Sequence, residues 1–142
     1  MKAIVAYMSN FELINWNEIY NNSNISNEEF EKIAVILSQN KDIDFISYFD
    51  LLKCSSKFCW LNFLYILEKM PIEELVRGVP FLFKLLQDPN WPTYEKTVQI
   101  LEKIEKKKLM PYLKKYLEQA YDEDDEMWIE SIKQLENKIM GD

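Results

Sequence analysis

Glycine is nearly missing from this chain: Gly78 and Gly141 are the only two among 142 residues. A β-rich domain of this length draws on glycine for hairpins, turns and bulges. Helices use it mainly at their C-terminal caps and are weakened by it inside. The scarcity therefore selects an all-α fold. The length suits a single helical domain, residues 1–142, with one continuous core. Apolar residues make up 48% of the chain, enough to fill such a core. No stretch approaches the roughly 20 apolar residues of a membrane span. The apolar run Ala3–Met8 stops at Ser9-Asn10, too short for a signal-peptide core. The expectation is a cytoplasmic protein without membrane contact.

Side-chain chemistry narrows the function. There is no histidine, which removes the commonest general base and the commonest metal ligand. Cys54 and Cys59 stand as C-x4-C, not the C-x-x-C of redox or zinc sites. They read as buried free thiols in a reducing compartment. Glu73 and Glu74 follow Pro71 in the first turn of a helix, where carboxylates suit the positive end of the dipole. No nucleophile or phosphate-binding loop accompanies them. The chain is not expected to be an enzyme, and nothing in it calls for a cofactor or a metal. Its net charge of −7 repels nucleic-acid phosphate and attracts basic proteins. A protein partner is expected, and direct nucleic-acid binding is not.

Residues 1–61 read as N-terminal helices. Phe11 to Tyr20 fits a helix with Trp16, Ile19 and Tyr20 inward, while Ala3–Met8 suits either a helix or a short strand. Ser26-Asn27-Glu28-Glu29 is a capping box. Phe30, Ile33, Ala34 and Leu37 follow at helical spacing up to Asn40. Asp42 or Asp44 then caps a helix with Phe45, Ile46, Phe49 and Leu52 inside. Ser55 or Ser56 caps a third helix running to about Met70. Phe58, Cys59, Trp60, Leu61, Phe63, Leu64, Ile66 and Leu67 cover most of its circumference, which predicts a central helix buried all round.

Residues 62–142 contain a repeat. Pro80-Phe81-Leu82-Phe83-Lys84-Leu85-Leu86-Gln87 matches Pro111-Tyr112-Leu113-Lys114-Lys115-Tyr116-Leu117-Glu118, 31 residues on. Thr97–Glu102 parallels Ser131–Glu136, 34 residues on, so the second connection is longer around Asp122–Glu126. Helix-pair repeats of this length signal a stack of antiparallel pairs, an α-solenoid whose units share a core. Leu109, Tyr112, Leu113, Tyr116, Leu117 and Ala120 would face inward from a helix led by Pro111. Trp128, Ile132, Leu135 and Ile139 would do so from the last helix. Lys103, Lys106, Lys107 and Lys108 read as a solvated helix C-terminus. The turn Asp88-Pro89-Asn90-Trp91-Pro92 stops one helix and starts another, with Trp91 packed on the central helix.

At this turn the chain resembles HEAT-like bacterial domains of unknown function that carry Leu-Gln-Asp-x-Asn-Trp-Pro between two helices. Here the motif is Leu86 to Pro92, preceded by Ile66-Leu67-Glu68-Lys69-Met70 and followed by the Pro111 helix and an acidic turn before Trp128. The similarity covers roughly residues 62–139. It implies a HEAT-like stack and no catalytic residues. Small acidic helical proteins of this kind look like bacterial immunity proteins, including those of contact-dependent growth inhibition systems, which bind one cognate toxin. The implied partner is a single basic protein, such as a tRNA-cleaving nuclease toxin domain. The alternative is a scaffold that joins cellular proteins. A basic nuclease site can be filled by carboxylates with aromatic anchors. The candidate partner-binding residues are Tyr121, Asp122, Glu123, Asp124, Asp125 and Glu126, extended along the last helix by Glu130, Lys133, Gln134 and Asn137. The same carboxylates also suit the cap of the helix that follows. A calcium loop needs a central glycine, which this run lacks.

Overall fold

A computed structural model describes residues 10–89 and 93–141. Every regular element among them is helical. Ala3–Met8 and Trp91, for which the sequence suggested a first element and a packing role, lie outside the described residues. Internal contacts divide the chain into two compact units, with the division between Glu74 and Leu75.

The first unit holds α1 (Trp16–Asn21), α2 (Asn27–Gln39), 3-10 turns at Phe45–Tyr48 and Leu51–Lys53, and α3 (Lys57–Glu68). α1 and α2 both pack on α3. The capping box works as read: the Ser26 hydroxyl accepts from the Glu29 backbone N–H at 3.2 Å. The helix ends at Asn40, whose Nδ2 donates to the Ile36 carbonyl at 2.7 Å. Phe30, Ile33, Ala34 and Leu37 are all buried.

Three expectations in this unit need correcting. The segment after Asp44 forms two 3-10 turns rather than one α-helix. The tighter winding shifts the side-chain register. Phe45 and Phe49 stay inside, but Leu52 ends up 97% exposed. α3 is not enclosed on all sides, because Phe58 in its first turn is 49% exposed. Ser56 holds the N-cap position of α3 without capping it; its hydroxyl contacts the Cys59 thiol at 3.9 Å instead.

The buried Asn62 of α3 organises the carbonyl end of α1. Its Nδ2 donates to the Ile19 carbonyl at 2.8 Å and to the Asn22 carbonyl at 2.9 Å. The Ser55 backbone N–H reaches the Tyr20 carbonyl between them at 3.0 Å. These are groups that a helix C-terminus leaves without intrahelical donors. Tyr20 in turn donates its hydroxyl to the Tyr48 carbonyl. Around this framework Phe49 and Phe63 lie 4.6 Å apart, and Trp16 stacks on Tyr48 at 5.1 Å. Burial and the Asp50 carboxylate raise the Tyr20 hydroxyl above the usual tyrosine range.

The short α4 (Ile72–Leu75) leads into the second unit, made of a 3-10 turn at Val76–Gly78, α5 (Val79–Leu85), α6 (Tyr94–Glu102), α7 (Lys106–Asp122) and α8 (Glu126–Met140). α5 packs on α6 and α7, and α7 packs most extensively on α8. The connection Glu123-Asp124-Asp125 makes α7 and α8 an antiparallel hairpin. Trp128 locks it to α5: its indole N–H donates to the Phe83 carbonyl at 2.9 Å. Tyr116 stacks on Phe83 at 5.0 Å and lies 6.1 Å from Trp128.

The sequence repeat has a physical counterpart. Thr97 in α6 and Ser131 in α8 occupy matching positions, and both are buried. Each donates its hydroxyl to the carbonyl four residues back, Thr93 at 2.8 Å and Met127 at 2.9 Å. The helix in the second repeat does not begin at Pro111, however. That proline lies inside α7, which starts five residues earlier at Lys106. Its own face is exposed, and burial of Leu109 and Leu113 on the opposite face offsets its cost of roughly 3 kcal/mol inside a helix. Lys106, Lys107 and Lys108 therefore form the first turn of a helix, not the end of one as their charge suggested. Lys103 alone holds a C-cap, that of α6.

Candidate functional site

The acidic run is the turn of the α7–α8 hairpin, and its five residues do different work. Asp124 is in the left-handed region with φ 53°. The Asp125 backbone N–H donates to the Ala120 carbonyl at 3.0 Å, and that of Asp124 to Tyr121 at 3.1 Å. This bond pair is the Schellman termination of a helix, with Asp124 at the position glycine favours. Asp125 then caps α8, its carboxylate accepting from the Trp128 backbone N–H at 3.1 Å. Asp124 and Asp125 thus build the turn, and Glu126 opens α8 at the positive end of its dipole.

Asp122 and Glu123 have no such structural explanation. They sit at the last position and the C-cap of α7, where a carboxylate is disfavoured by the negative end of the dipole. Both are exposed. Glu123 accepts a hydrogen bond from Gln119 Nε2 at 2.7 Å, a surface contact worth little. Beside them Tyr121 is 48% and Met127 53% exposed. Met127 was not singled out from the sequence, although it stands next to the acidic run. Among the described residues the carboxylates do not gather into a metal-holding cluster.

Of the α8 candidates, Lys133 joins this patch. Its Nζ lies over the Tyr121 ring, 5.5 Å from the centroid. Hydrogen bonding with Tyr121, that residue's charge, and then Glu130 and Glu136 hold the Lys133 ammonium above the usual lysine range. The contact orients the tyrosine ring next to the acidic turn. Gln134 and Asn137 belong instead to a groove of about 330 Å³ between α6 and α8, shared with Tyr94, Glu95, Val98 and Lys138. There the Tyr94 hydroxyl donates to Gln134 Oε1 at 3.0 Å, and Gln134 Nε2 donates to Glu130 at 3.3 Å. Burial, with Glu130 nearby, raises the Tyr94 hydroxyl above its ordinary range. Tyr94 was missed from the sequence because its partner is 40 positions away. Glu130, which accepts from Gln134 and acts electrostatically on Lys133, stands between the patch and the groove.

Among the described residues no helix is long and apolar enough to cross a membrane. Compared with known proteins, the chain matches one family model, described as Domain of unknown function (DUF5071), over residues 60–139. No curated protein matches it, and no solved structure does.

Proposed function

The chain belongs to the DUF5071 family, and from that helical domain we propose an immunity protein that binds and neutralises one basic toxin. The toxin would be a nuclease, such as a tRNA-cleaving domain of a contact-dependent inhibition system. The observation that carries this reading is the placement of Asp122 and Glu123. Two exposed carboxylates at the wrong end of a helix dipole cost about 0.3–1 kcal/mol each. The turn they flank is already built by Asp124 and Asp125. Charge retained against local stability suits a partner whose own surface is basic. A nuclease site must hold phosphates and is therefore such a surface. Tyr121, held by Lys133, and Met127 supply the apolar anchors that charge alone lacks. In this reading the protein works in the cytoplasm, where Cys54 and Cys59, both free, stay reduced.

A HEAT-like scaffold is the second reading. It is favoured by the paired α5–α6 and α7–α8 units and by the matching Thr97 and Ser131 bonds, since stacked helix pairs build extended binding faces. Neither reading assigns a reaction or a cofactor to the chain. A pull-down from the native host at moderate salt separates the two, with every eluted protein assayed for nuclease and growth-inhibition activity. One stoichiometric toxic partner, silent in the complex, supports immunity. Several non-toxic partners at separate faces support a scaffold and defeat the immunity reading.

A further inference from the structure

Past its N-cap residue Glu105, the charges within the first and last turns of α7 oppose its dipole. Its first turn carries Lys106, Lys107 and Lys108 and no acidic residue, while its last turn has no basic residue and ends on Asp122. The reverse arrangement would stabilise the helix. One exposed stripe displays this polarity: Lys107, Pro111, Lys114, Glu118, Tyr121 and Asp122 recur at helical spacing on a single face. The side chains of Lys107, Lys114, Glu118 and Asp122 have no ion-pair partner among the described residues. The basic half is a shallow depression lined by Met110 and Pro111 together with Lys106, Lys107, Lys114 and a single carboxylate, Glu105. The acidic half presents the exposed Tyr121 ring.

We propose that this stripe docks a second copy of the chain, α7 against α7, antiparallel about a two-fold axis. The argument is charge complementarity under that symmetry. With the axis between the levels of Lys114 and Glu118, Lys114 faces Glu118 of the second copy. Pro111 then faces Tyr121 of the second copy, and Lys107 faces the second copy's acidic turn. The two-fold repeats each contact. A parallel pairing would instead oppose like charges. α7 is about 25 Å long, and one helix face buries less than the roughly 800 Å² per partner of a standard interface. The dimer is therefore weak, concentration-dependent and sensitive to salt. It covers the acidic turn, so self-association and capture of a basic partner exclude each other. The inference rests on the charges of α7 and not on the identity of that partner.

Analytical ultracentrifugation of the full chain, from about 10 μM to about 1 mM protein and at about 0.05 M and 0.5 M salt, tests it. A monomer–dimer equilibrium is expected at low salt, shifted towards monomer at high salt. K107E/K114E and E118K/D122K should each be monomeric, and an equimolar mixture of the two should dimerise again. All four positions are exposed, and circular dichroism verifies that the variants are folded. A wild type that stays monomeric throughout overturns the proposal. So does a dimer that neither variant weakens, or a mixture that does not reassociate. Failure here leaves the immunity reading intact, because K107E/K114E does not touch the acidic turn.

Discussion

Replacing Asn62 by aspartate changes almost nothing in shape and reverses the logic of the first unit. The native amide donates to the Ile19 and Asn22 carbonyls at 2.8 and 2.9 Å from a position only 2% exposed. A protonated aspartic acid can donate to one of them, so one acceptor loses its partner at a cost of about 1–3 kcal/mol. An ionised aspartate points lone pairs at both carbonyls, which disfavours ionisation, and burial alone can raise a carboxyl pKa by about 3–5 units. The folded pKa of Asn62→Asp then lies above the unfolded value of about 3.9. The added penalty is absent below that unfolded value and grows as pH rises towards the folded pKa. At about 1.4 kcal/mol per unit, it should increase by about 2–3 kcal/mol between pH 5 and pH 7. Against a typical domain stability of about 5–15 kcal/mol, this is a large loss. Urea unfolding of wild type and N62D at both pH values reads it directly. A destabilisation equal at the two pH values, or below about 0.5 kcal/mol at both, would refute Asn62 as the organiser of α1.

Other expected outcomes concern the hairpin and the thiols. Asp124→Gly should raise stability by about 0.5–1 kcal/mol, because glycine takes the left-handed conformation freely, and Asp124→Val should lower it; thermal unfolding decides the sign. Trp128→Phe should cost only about 1–3 kcal/mol, since the Phe83 carbonyl keeps the Leu86 N–H and is not orphaned. Trp128→Ala should cost about 3–5 kcal/mol, and a Trp128→Phe loss close to zero in denaturant titration would deny the indole its bond. Burial, with Cys59 and Asp50 nearby, pushes the Cys54 thiol up to about 11. Its alkylation at pH 8 should therefore be about a hundredfold slower in the native protein than in urea, as mass spectrometry over time would show.

The sequence exposed those features that are local in the chain. The capping box at Ser26 and the period of Phe30, Ile33, Ala34 and Leu37 placed α2 because caps and helical faces are written within a few residues. The all-α class followed from glycine scarcity for the same reason. Pro111 misled because proline usually opens a helix. Only the burial of Leu109 and Leu113 on the far face shows that packing overrides its cost of roughly 3 kcal/mol inside one. The lysines before it were consequently assigned to the wrong helix end. Asn62 goes unremarked among the apolar residues of its helix, because its partners lie 40 and 43 positions away. At the candidate site the acidic run was visible, but its division of labour was not. That Asp124 and Asp125 build the turn while Asp122 and Glu123 oppose the dipole depends on where α7 ends, which composition does not encode.

That division of labour makes the central claim testable without disturbing the fold. Asp122→Lys/Glu123→Lys reverses the two surplus charges and leaves Asp124 and Asp125 in place. By the dipole argument it should leave stability unchanged or raise it by up to about 1 kcal/mol per site. The decisive measurement is the affinity of this variant for the toxic partner captured from the host, read by calorimetry beside protection of cells expressing that toxin. The account expects binding weakened at least tenfold, about 1.4 kcal/mol, with protection lost and the fold intact. Unchanged affinity and full protection would contradict it and remove the acidic turn from the binding surface.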